Sequence, residues 1–287
     1  MRIVGQVKAL WRYPVKSMQG ESLNAADFTQ GGVVGDRHWA LRDEQTGEMR
    51  GAKKFPLLMQ CKARYRGEVT AENLPDVEIT LPDGRVIDTT NQEINETLSE
   101  FLQKPVSLHA LRPATDLDHY RRTVPLDENE LRDVLAREPD EELPDLSMVP
   151  QDVLAEIIEY TSPRGTYFDA YPIHLLTTSW LEALAQKNPQ SEFDVQRFRP
   201  NILIDGAEAG FAEQAWCGKH LKIGDTVFEC QIPTVRCGMT TRATGALPED
   251  RQVLRTIVRE SDNNVGCYAN VGAGGTIRVG DDVELFD

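Results

Sequence analysis

Cysteines are few in this chain of 287 residues, and none of them is paired in the sequence. No Cys-x-x-Cys motif occurs, and the five cysteines are odd in number and far apart: Cys61, Cys217, Cys230, Cys237 and Cys267. A disulfide framework, a zinc site and an iron–sulfur cluster built from the chain's own cysteines are therefore not expected. Each cysteine has to be judged by its own surroundings.

Long apolar runs are also missing from the sequence. No stretch approaches the roughly 20 uninterrupted apolar residues of a membrane-spanning helix, and the opening residues lack the apolar centre and cleavage site of a signal peptide. We therefore expect a cytoplasmic protein that makes no membrane contact. The apolar content of 40% is nevertheless enough to bury a full core in one large domain or two ordinary ones.

Positive charge is scarce, because 31 lysines and arginines stand against 46 aspartates and glutamates, for a formal net charge of −15. A nucleic-acid partner is not expected, since binding a phosphate backbone requires a broad basic face. Because the chain as a whole is acidic, the places where basic residues cluster are informative. These are Arg12 to Lys16, Arg37, Arg50 to Lys54, Arg197 with Arg199, and Arg236. For any single cluster, a solvated surface or a nearby carboxylate partner is the preferred interpretation.

Alternating apolar and polar residues dominate the first hundred positions. The opening segment has the period of a half-buried strand, with these residues on one side: Ile3, Val7, Ala9, Trp11, Tyr13 and Val15. Further strands are predicted at HWALRD, LMQCKARY and VEITLP, and the last runs into a turn at 82–84. A helix is predicted from about Gln92 to Gln103. Together these elements predict a small α+β unit.

An acidic segment from about Leu126 to Asp145 interrupts this pattern and contains or adjoins three prolines, Pro125, Pro139 and Pro144. It is interpreted as a linker or a lid, and a solvated surface loop is the alternative. Beyond it the sequence predicts a buried run at IHLLT and three helices: about Val153 to Glu159, Ser179 to Gln186 with Thr178 as the cap, and Glu249 to Arg259.

Two similar segments indicate hairpins in the second half of the chain. LKIGDTVFEC at 221–230 and IRVGDDVELF at 277–286 each alternate, break at Gly-Asp and resume. Both are predicted to form β-hairpins. Two hairpins beside NILID and the strand before Cys237 predict a small, closed or partly closed barrel, which leaves few strand edges exposed.

Cys237 has the most distinctive surroundings of the five cysteines. It follows a predicted strand, stands next to Arg236 and precedes Gly238, in a setting that favours the thiolate form that binds soft metals. A nucleophilic role would require a histidine base, and none of the five histidines has a recognisable local pattern: His38, His109, His119, His174 and His220. His174 in IHLLT is expected to be a hydrogen-bonded core residue.

Six short segments together resemble one protein family: WRYPVKSMQG, GDRHWAL, FRPNILI, VRCGMTT, EDRQVL and GGTIRVGDDVEL. They are similar, in order and over nearly the whole chain, to the two-part MOSC proteins that include the mitochondrial amidoxime-reducing component and its bacterial relatives. The resemblance implies an α+β, mainly β fold. It places a β-rich N-terminal domain at 1–112, the acidic linker or lid at 113–150, and a MOSC β-barrel with a few short helices at 151–287.

The resemblance also implies a molybdenum cofactor, in which a pyranopterin with a terminal phosphate holds the metal. Cys237 is then the catalytic cysteine and the metal ligand, and seven residues line the cofactor: Lys16, Ser17, Arg37, Arg199, Asn201, Arg236 and Tyr268. Clustered cations in an acidic chain agree with such a phosphate site. The sequence departs from the family pattern at Val235 and at Ala170-Tyr171, which puts the contacts at those points in doubt.

The activity implied by the resemblance is a molybdenum oxidoreductase that reduces small N-hydroxylated compounds such as amidoximes, hydroxylamines and N-hydroxylated bases. The sequence has no flavin or nicotinamide fingerprint, so electrons are expected from a separate reductase or ferredoxin. A cofactor carrier or sulfur-transfer module that uses Cys237 is the main alternative. A third reading is a structural β-protein in which Cys237 is inert.

Overall fold

The computed structural model describes residues 1–137 and 141–287, and the fold there is mainly β with short helices. The strands are β1 (Arg2–Arg12), β2 (Glu21–Leu23), β3 (Ala25–Thr29), β4 (Gly32–Val33), β5 (Trp39–Asp43), β6 (Glu48–Arg50), β7 (Lys62–Tyr65), β8 (Val77–Thr80), β9 (Val86–Asp88), β10 (Val106–Ala110), β11 (Ile173–Thr177), β12 (Ile202–Asp205), β13 (His220–Ile223), β14 (Thr226–Val235), β15 (Asn264–Ala273), β16 (Gly275–Arg278) and β17 (Asp282–Phe286). This composition confirms the predicted fold class.

Short helices connect these strands. The α-helices are α1 (Ile94–Leu102), α2 (Leu117–Tyr120), α3 (Glu128–Leu135), α4 (Gln151–Glu159), α5 (Thr178–Lys187), α6 (Val195–Phe198) and α7 (Arg251–Ser261), and 3₁₀ helices occur at Pro56–Gln60, Ala212–Trp216 and Gly238–Thr241. No helix in the described part of the chain is both long and apolar enough to cross a membrane.

A closed barrel forms the centre of the molecule. Its strands follow the order β12, β11, β15, β14, β13, β17 and β1, and a pairing between β1 and β12 closes the circle. All neighbours are antiparallel except β11 and β12. The interior is filled by apolar side chains from every side, among them Val7, Leu10, Ile173, Ile204, Leu221, Phe228, Val271 and Leu285. Closure leaves these strands without open edges.

The first strand belongs to this barrel although it lies at the N-terminal end of the chain. The side-chain alternation of β1 is broken by register shifts on both pairings, so Ile3, predicted to face inward, is 63% exposed. A β-bulge shifts the inward face by one residue, which a strictly alternating prediction cannot anticipate. Because β3 also pairs with β16, the two halves of the chain share sheets, and the predicted boundaries at 112 and 150 stay a prediction.

The rest of the first half builds a second core beside the barrel. The strands β10, β5 and β6 form one sheet and β7, β8 and β9 another, and α1 packs against them through Ile94, Leu98 and Leu102. The predicted strand LMQCKARY is wrong in its first half, because the 3₁₀ helix Pro56–Gln60 occupies it and the strand begins only at Lys62. Proline at the first helical position favours that turn over an extended chain.

The predicted helices in the second half are confirmed as α4, α5 and α7. The cap of α5 is Thr177 rather than the predicted Thr178, since its hydroxyl accepts a hydrogen bond from the amide of Trp180. The acidic segment 126–145 contains one helix that the sequence pattern did not predict, α3, and Asp127 caps it. Residues 138–140 of that segment, including Pro139, lie outside the described residues.

Only one of the two predicted hairpins is present. The hairpin at 221–230 is confirmed by the direct pairing of β13 with β14. The hairpin at 277–286 is wrong, because β16 pairs with β3 whereas β17 lies between β1 and β13. Both edges of β17 are occupied in the closed barrel, so β16 has to turn away and find another partner.

Candidate functional site

A cavity of about 430 Å³ lies where β14 and β15 meet the helices α3 and α4. Five of the eight residues predicted for the site line it: Arg37, Arg199, Arg236, Cys237 and Tyr268. Lys16 and Ser17 line a smaller adjoining cavity of about 50 Å³, which shares Lys53 and Asp169 with the larger one. The fold therefore gathers residues from both halves of the sequence at one place.

Cys237 directly follows β14 and caps the 3₁₀ helix Gly238–Thr241. Its carbonyl oxygen accepts hydrogen bonds from the amide of Thr240 at 3.2 Å and from the Thr240 hydroxyl at 3.1 Å. These bonds hold the backbone of Cys237, and the side chain is left half-buried at the cavity wall. No other cysteine of the described chain lines this cavity.

Arg37 and Arg199 both have left-handed backbone conformations, with φ of 47° and 56°. Such angles are uncommon for residues other than glycine and often mark functional positions. The Arg199 guanidinium lies 4.3 Å from the centre of the Tyr13 ring and donates to the carbonyl of Met18. Burial lowers the pKa of Arg199 to about 10. The guanidinium of Arg37 stands 5.8 Å from the centre of the Phe168 ring.

Arg236 is another buried arginine of the site. Asn263 fixes its backbone from both sides, since its carbonyl accepts from the Arg236 amide and its side-chain amide donates to the Arg236 carbonyl. One terminal nitrogen of Arg236 donates to the carbonyl of Phe198 at 3.1 Å. The Nε atom of Arg236 is buried and has no hydrogen-bond partner within the described residues. A buried charged donor left unpaired is costly, so this atom marks a place for an anionic group.

Asn201 acts inside the protein and does not line the cavity. Its side chain, 1% exposed, donates to the Asp36 carboxylate at 3.2 Å and accepts from the amide of His174 at 3.1 Å. Asp36 also accepts from the amide of Tyr13 and lies 3.7 Å from Nε of Arg37. Burial raises the pKa of Asp36, and the neighbouring Arg37 opposes that rise. Asn201 is therefore a positioning residue for the carboxylate beside Arg37.

Lys16 is likewise engaged by protein groups. Its ammonium donates to the carbonyl of Tyr167 at 2.6 Å and to the carboxylate of Asp169 at 3.0 Å. Burial lowers the pKa of Lys16 to about 8, against the opposing attraction of Asp169. Burial also raises the pKa of Asp169, but Lys16, Lys53 and Arg37 outweigh it and hold that pKa well below its usual range. Lys16 thus fixes the segment that brings Asp169 to the cavity.

Ser17 has a left-handed backbone, with φ of 71°, and its hydroxyl accepts from the amide of Ala52 at 2.9 Å. A side chain at Gly51 would place its Cβ 2.5 Å from that hydroxyl oxygen. Ser17 therefore connects its own loop to the loop of Ala52 beside the smaller cavity. Roles for Ser17, Lys16 and Asn201 in binding a cofactor stay predictions.

Tyr268 and His174 form an aromatic part of the cavity wall. The Tyr268 ring centre lies 5.5 Å from that of Tyr171 and 5.9 Å from that of His174. Burial raises the pKa of Tyr268, so its hydroxyl keeps its proton. Burial lowers the pKa of His174 well below its usual value, and its Nε2 lies 3.1 Å from the carbonyl of Val265. The prediction of a hydrogen-bonded core histidine is confirmed.

Several residues of the cavity were not predicted from the sequence. Lys53 and Asp169 belong to its charged part, and Lys53 lies in a basic cluster that the sequence had singled out. Arg122, Asp127 and Glu128 are charged residues of the lining that were also missed. The missed apolar residues come mainly from α3, α4 and the segments around them: Leu126, Leu131, Val134, Leu135, Leu146, Val149, Leu154, Ile157 and Ile158. Their helical spacing was the only available signal, and it does not say what a helix faces.

The cavity combines one thiol with several cations, which suits a polyanionic ligand that carries a soft metal. No group of three or more His, Cys, Asp or Glu side chains suited to a metal occurs within the described ranges. A metal bound at Cys237 would therefore have to bring most of its ligands with it, as a metal held by an organic dithiolene does.

Comparisons with known proteins identify the family of this chain. The family model "MOSC N-terminal beta barrel domain" matches residues 4–111, and the model "MOSC domain" matches residues 163–284. The chain is 26% identical to Mitochondrial amidoxime reducing component 2 of Bos taurus, over 98% of this chain and 83% of that protein. It is also 26% identical to Mitochondrial amidoxime-reducing component 1 of Homo sapiens, over 99% of this chain and 83% of that one.

A further relative is Molybdenum cofactor sulfurase of Oryza sativa subsp. japonica, at 23% identity over 88% of this chain and 30% of that longer protein. The names of all three relatives concern amidoxime reduction or the molybdenum cofactor. The two domain models together match most of the chain, in the order that the family resemblance predicted. This chain belongs to the MOSC-domain proteins.

Proposed function

We propose that this chain binds a molybdenum–pterin cofactor in the cavity beside Cys237 and uses it to reduce N-hydroxylated compounds. One observation carries the proposal: Cys237 shares the cavity with the three arginines predicted for the site, of which Arg199 and Arg236 are buried and Arg37 is half-buried. Amidoxime reduction by two relatives, as their names state, supports the substrate class.

The residues present fit the cofactor. Cys237 offers a single soft ligand, and the guanidinium groups offer charge-assisted donors to a terminal phosphate. The buried Nε of Arg236, unpaired within the described protein, has the character of a donor that an anionic ligand satisfies. When bound, the cofactor would supply the two-electron redox chemistry for reducing the N–O bond of the substrate.

The protein's own groups have distinct tasks in this proposal. The negative charges of the cofactor are held by Arg37, Arg199 and Arg236. Tyr268, whose raised pKa keeps its hydroxyl protonated, donates a hydrogen bond to the cofactor. Asp169 stays ionised because Lys16 and its neighbours hold its pKa low, so it balances the surrounding cations rather than delivering a proton. The apolar residues of the cavity exclude water from the reacting groups.

Electrons would come from a separate protein, a reductase or a ferredoxin. No group of three or more His, Cys, Asp or Glu side chains among the described residues is suited to hold a metal, and the formal net charge of −15 favours a partner with a basic docking face. Such a complex would be weak and transient, as is usual for electron transfer.

The test is the molybdenum and pterin content per chain after purification from a host that makes the cofactor. We expect near-stoichiometric metal in the wild type and its loss, or an altered absorption spectrum, in Cys237→Ala. Cys217→Ala is the matched control, since Cys217 is also half-buried but lies away from the cavity. Wild-type protein with neither metal nor pterin, and no uptake of added cofactor, would refute cofactor binding.

A cofactor carrier or sulfur-transfer module is the second candidate, favoured by the match to a protein named Molybdenum cofactor sulfurase. In that function Cys237 would hold a persulfide or pass on the cofactor without turning over an N-hydroxylated substrate. Reduction of benzamidoxime by cofactor-loaded protein with an artificial electron donor separates the two. Turnover supports the reductase, and full cofactor loading without turnover supports the carrier.

A further inference from the structure

Two cysteines that lie away from the cavity are neighbours in the folded barrel. The Sγ atoms of Cys217 and Cys267 are 3.7 Å apart, although 50 residues separate them in the chain. Both are free thiols in the structure. Neither residue lines the cavity of Cys237. The fold therefore creates a pair of thiols that the proposed cofactor chemistry does not use.

Each thiol is held by a separate, anchored part of the barrel. Cys267 lies on β15, and its side chain is fully buried in the barrel core. Cys217 directly follows the 3₁₀ helix Ala212–Trp216 and packs against the same core while remaining half-buried. The next residue, Gly218, donates its amide to the carbonyl of Cys230 on β14 at 2.9 Å. Because β14 also pairs with β15, the backbone holds the two sulfurs in contact.

The two thiols differ in their access to solvent and in acidity. Cys217 is half-buried and precedes the exposed Gly218, whereas Cys267 is 0% exposed. Hydrogen bonding to Cys267 lowers the pKa of Cys217. Hydrogen bonding to Cys217 and Cys230, together with burial, raises the pKa of Cys267 well above its usual value. Because the thiolate is the reactive form, an oxidant in the solvent reaches and attacks Cys217 first.

The geometry allows the two sulfurs to be joined. A disulfide requires them to approach from 3.7 Å to about 2.0 Å. The loop of Cys217 has room for this shift, because an added Cβ at Gly218 would meet no atom within 4 Å. Cys230 is the other thiol beside Cys267, but it is 2% exposed, so an oxidant in the solvent reaches neither member of that pair. Cys217 is therefore the partner that can start the reaction.

We propose that Cys217 and Cys267 form a reversible oxidation site, at which a hydroperoxide converts the two thiols into a disulfide. The thiol of Cys217 is first oxidised to a sulfenic acid, while the O–O bond of the hydroperoxide breaks and releases water or an alcohol. The sulfur of Cys267 then attacks that of Cys217, and its proton leaves with the sulfenic hydroxyl as water. The two thiols together lose two electrons, which the hydroperoxide accepts. An external dithiol reverses the reaction by thiol–disulfide exchange.

Tyr268 connects this oxidation site with the cavity. It follows Cys267 on β15 and lines the cavity of Cys237. The Sγ of Cys267 lies 3.3 Å from the carbonyl oxygen of Tyr268, and disulfide formation removes the S–H group that can donate to that oxygen. The disulfide therefore fastens the strand that carries Tyr268 to the loop of Cys217.

The test uses the full chain, which is reduced, treated with hydrogen peroxide, unfolded and alkylated before digestion. Trypsin places every cysteine on its own peptide: 55–62, 198–219, 223–236, 237–242 and 260–278. We expect peptides 198–219 and 260–278 to be joined at a mass about 2 Da below their sum, and dithiothreitol to separate them.

Three results of this digestion would overturn the proposal. One is a Cys267 that stays fully open to alkylation after the peroxide treatment. Another is a link between peptides 223–236 and 260–278, which would assign the disulfide to Cys230. The third is a dimer on a non-reducing gel that is joined through peptide 198–219, since Cys217 would then react between chains instead of within one.

Cys217→Ala and Cys230→Ala are a matched pair of variants, since each removes a thiol beside Cys267. We expect Cys217→Ala to leave Cys267 open to alkylation after peroxide treatment and Cys230→Ala to retain the joined peptides. Thermal unfolding under reducing conditions shows whether each variant is folded, and Cys217→Ser replaces Cys217→Ala if the latter is not. Loss of the joined peptides in folded Cys230→Ala would contradict the assignment.

The order of attack has a readout of its own. Brief treatment of the native, reduced protein with iodoacetamide measures how fast each thiol reacts. We expect Cys217 to be alkylated at least about tenfold faster than Cys267. Equal rates would refute Cys217 as the thiol that is oxidised first.

Discussion

Two arginines that line the cavity differ sharply in how their donors are used. Arg197, 1% exposed, donates to the carbonyls of Glu192 at 2.9 Å, Arg242 at 3.2 Å and Pro248 at 2.9 Å. Arg236, 9% exposed, makes one such bond and leaves its buried Nε without a partner in the described structure. Methionine has a similar length and no charged or hydrogen-bond-donating group. We therefore expect Arg197→Met to lower the free energy of unfolding of the cofactor-free protein and Arg236→Met to leave it nearly unchanged.

The magnitudes follow from the hydrogen bonds of each residue. A bond from a charged donor contributes about 1.5–3 kcal/mol. Arg197→Met loses these three bonds and a longer one to the carbonyl of Thr240 at 3.4 Å, so it should lower the free energy of unfolding by at least about 3 kcal/mol. Arg236→Met loses one such bond but removes a buried unpaired donor, whose desolvation costs about 1–3 kcal/mol. These two effects nearly cancel, and we expect the stability of Arg236→Met to lie within about 1 kcal/mol of the wild type.

The assay is urea unfolding of cofactor-free protein, followed by circular dichroism, beside metal analysis of protein made in a cofactor-competent host. Arg236→Met should keep the stability of the wild type but bind less cofactor. In the wild type the unpaired Nε costs stability and serves a ligand, and the variant lacks this donor. If Arg236→Met is destabilised as much as Arg197→Met, or binds as much cofactor as the wild type, the reasoning from the unpaired nitrogen is refuted.

Two further predictions concern Gly266, which lies against His174, and Glu213, which lies in the 3₁₀ helix Ala212–Trp216. Gly266→Ala should destabilise the fold by roughly 3 kcal/mol or more in thermal unfolding, since φ is +88° and the new Cβ would lie 2.3 Å from Nε2 of His174; a near-neutral result would contradict this. Burial raises the pKa of Glu213 to about 7, so the unfolding free energy should fall as the pH rises from about 4.5 to 7. Glu213→Gln should weaken that fall in urea titrations at several pH values, and an unchanged dependence would exclude Glu213 as its source.

Elements set by neighbours in the sequence were predictable. The helices α1 and α7 were expected from apolar residues at helical spacing, α5 from a threonine that could cap it, and the hairpin of β13 and β14 from its Gly-Asp turn. In each case the information lies within about a dozen residues, because helix hydrogen bonds and tight turns are local. The capping residue was misplaced by one position at α5, which is the usual precision for an element boundary.

Elements set by distant partners were not predictable in the same way. The segments of the two predicted hairpins have nearly the same pattern, yet β16 and β17 separate because the barrel closes on both edges of β17. The apolar stripes of α3 and α4 indicate only that something apolar must lie against them. Whether that partner is the core or a cavity depends on packing between segments far apart in the chain.

The sequence by itself determined the fold class, the family and the residue types that could serve a molybdenum cofactor, with Cys237 beside Arg236 as the central pair. Only the tertiary structure decided which of these residues line the cavity. Arg37 and Arg199 do, whereas Asn201 is committed to Asp36, 165 residues away in the chain. A side chain is available to a ligand only when its donors are not already satisfied by the protein, and that is decided by contacts that no local pattern records.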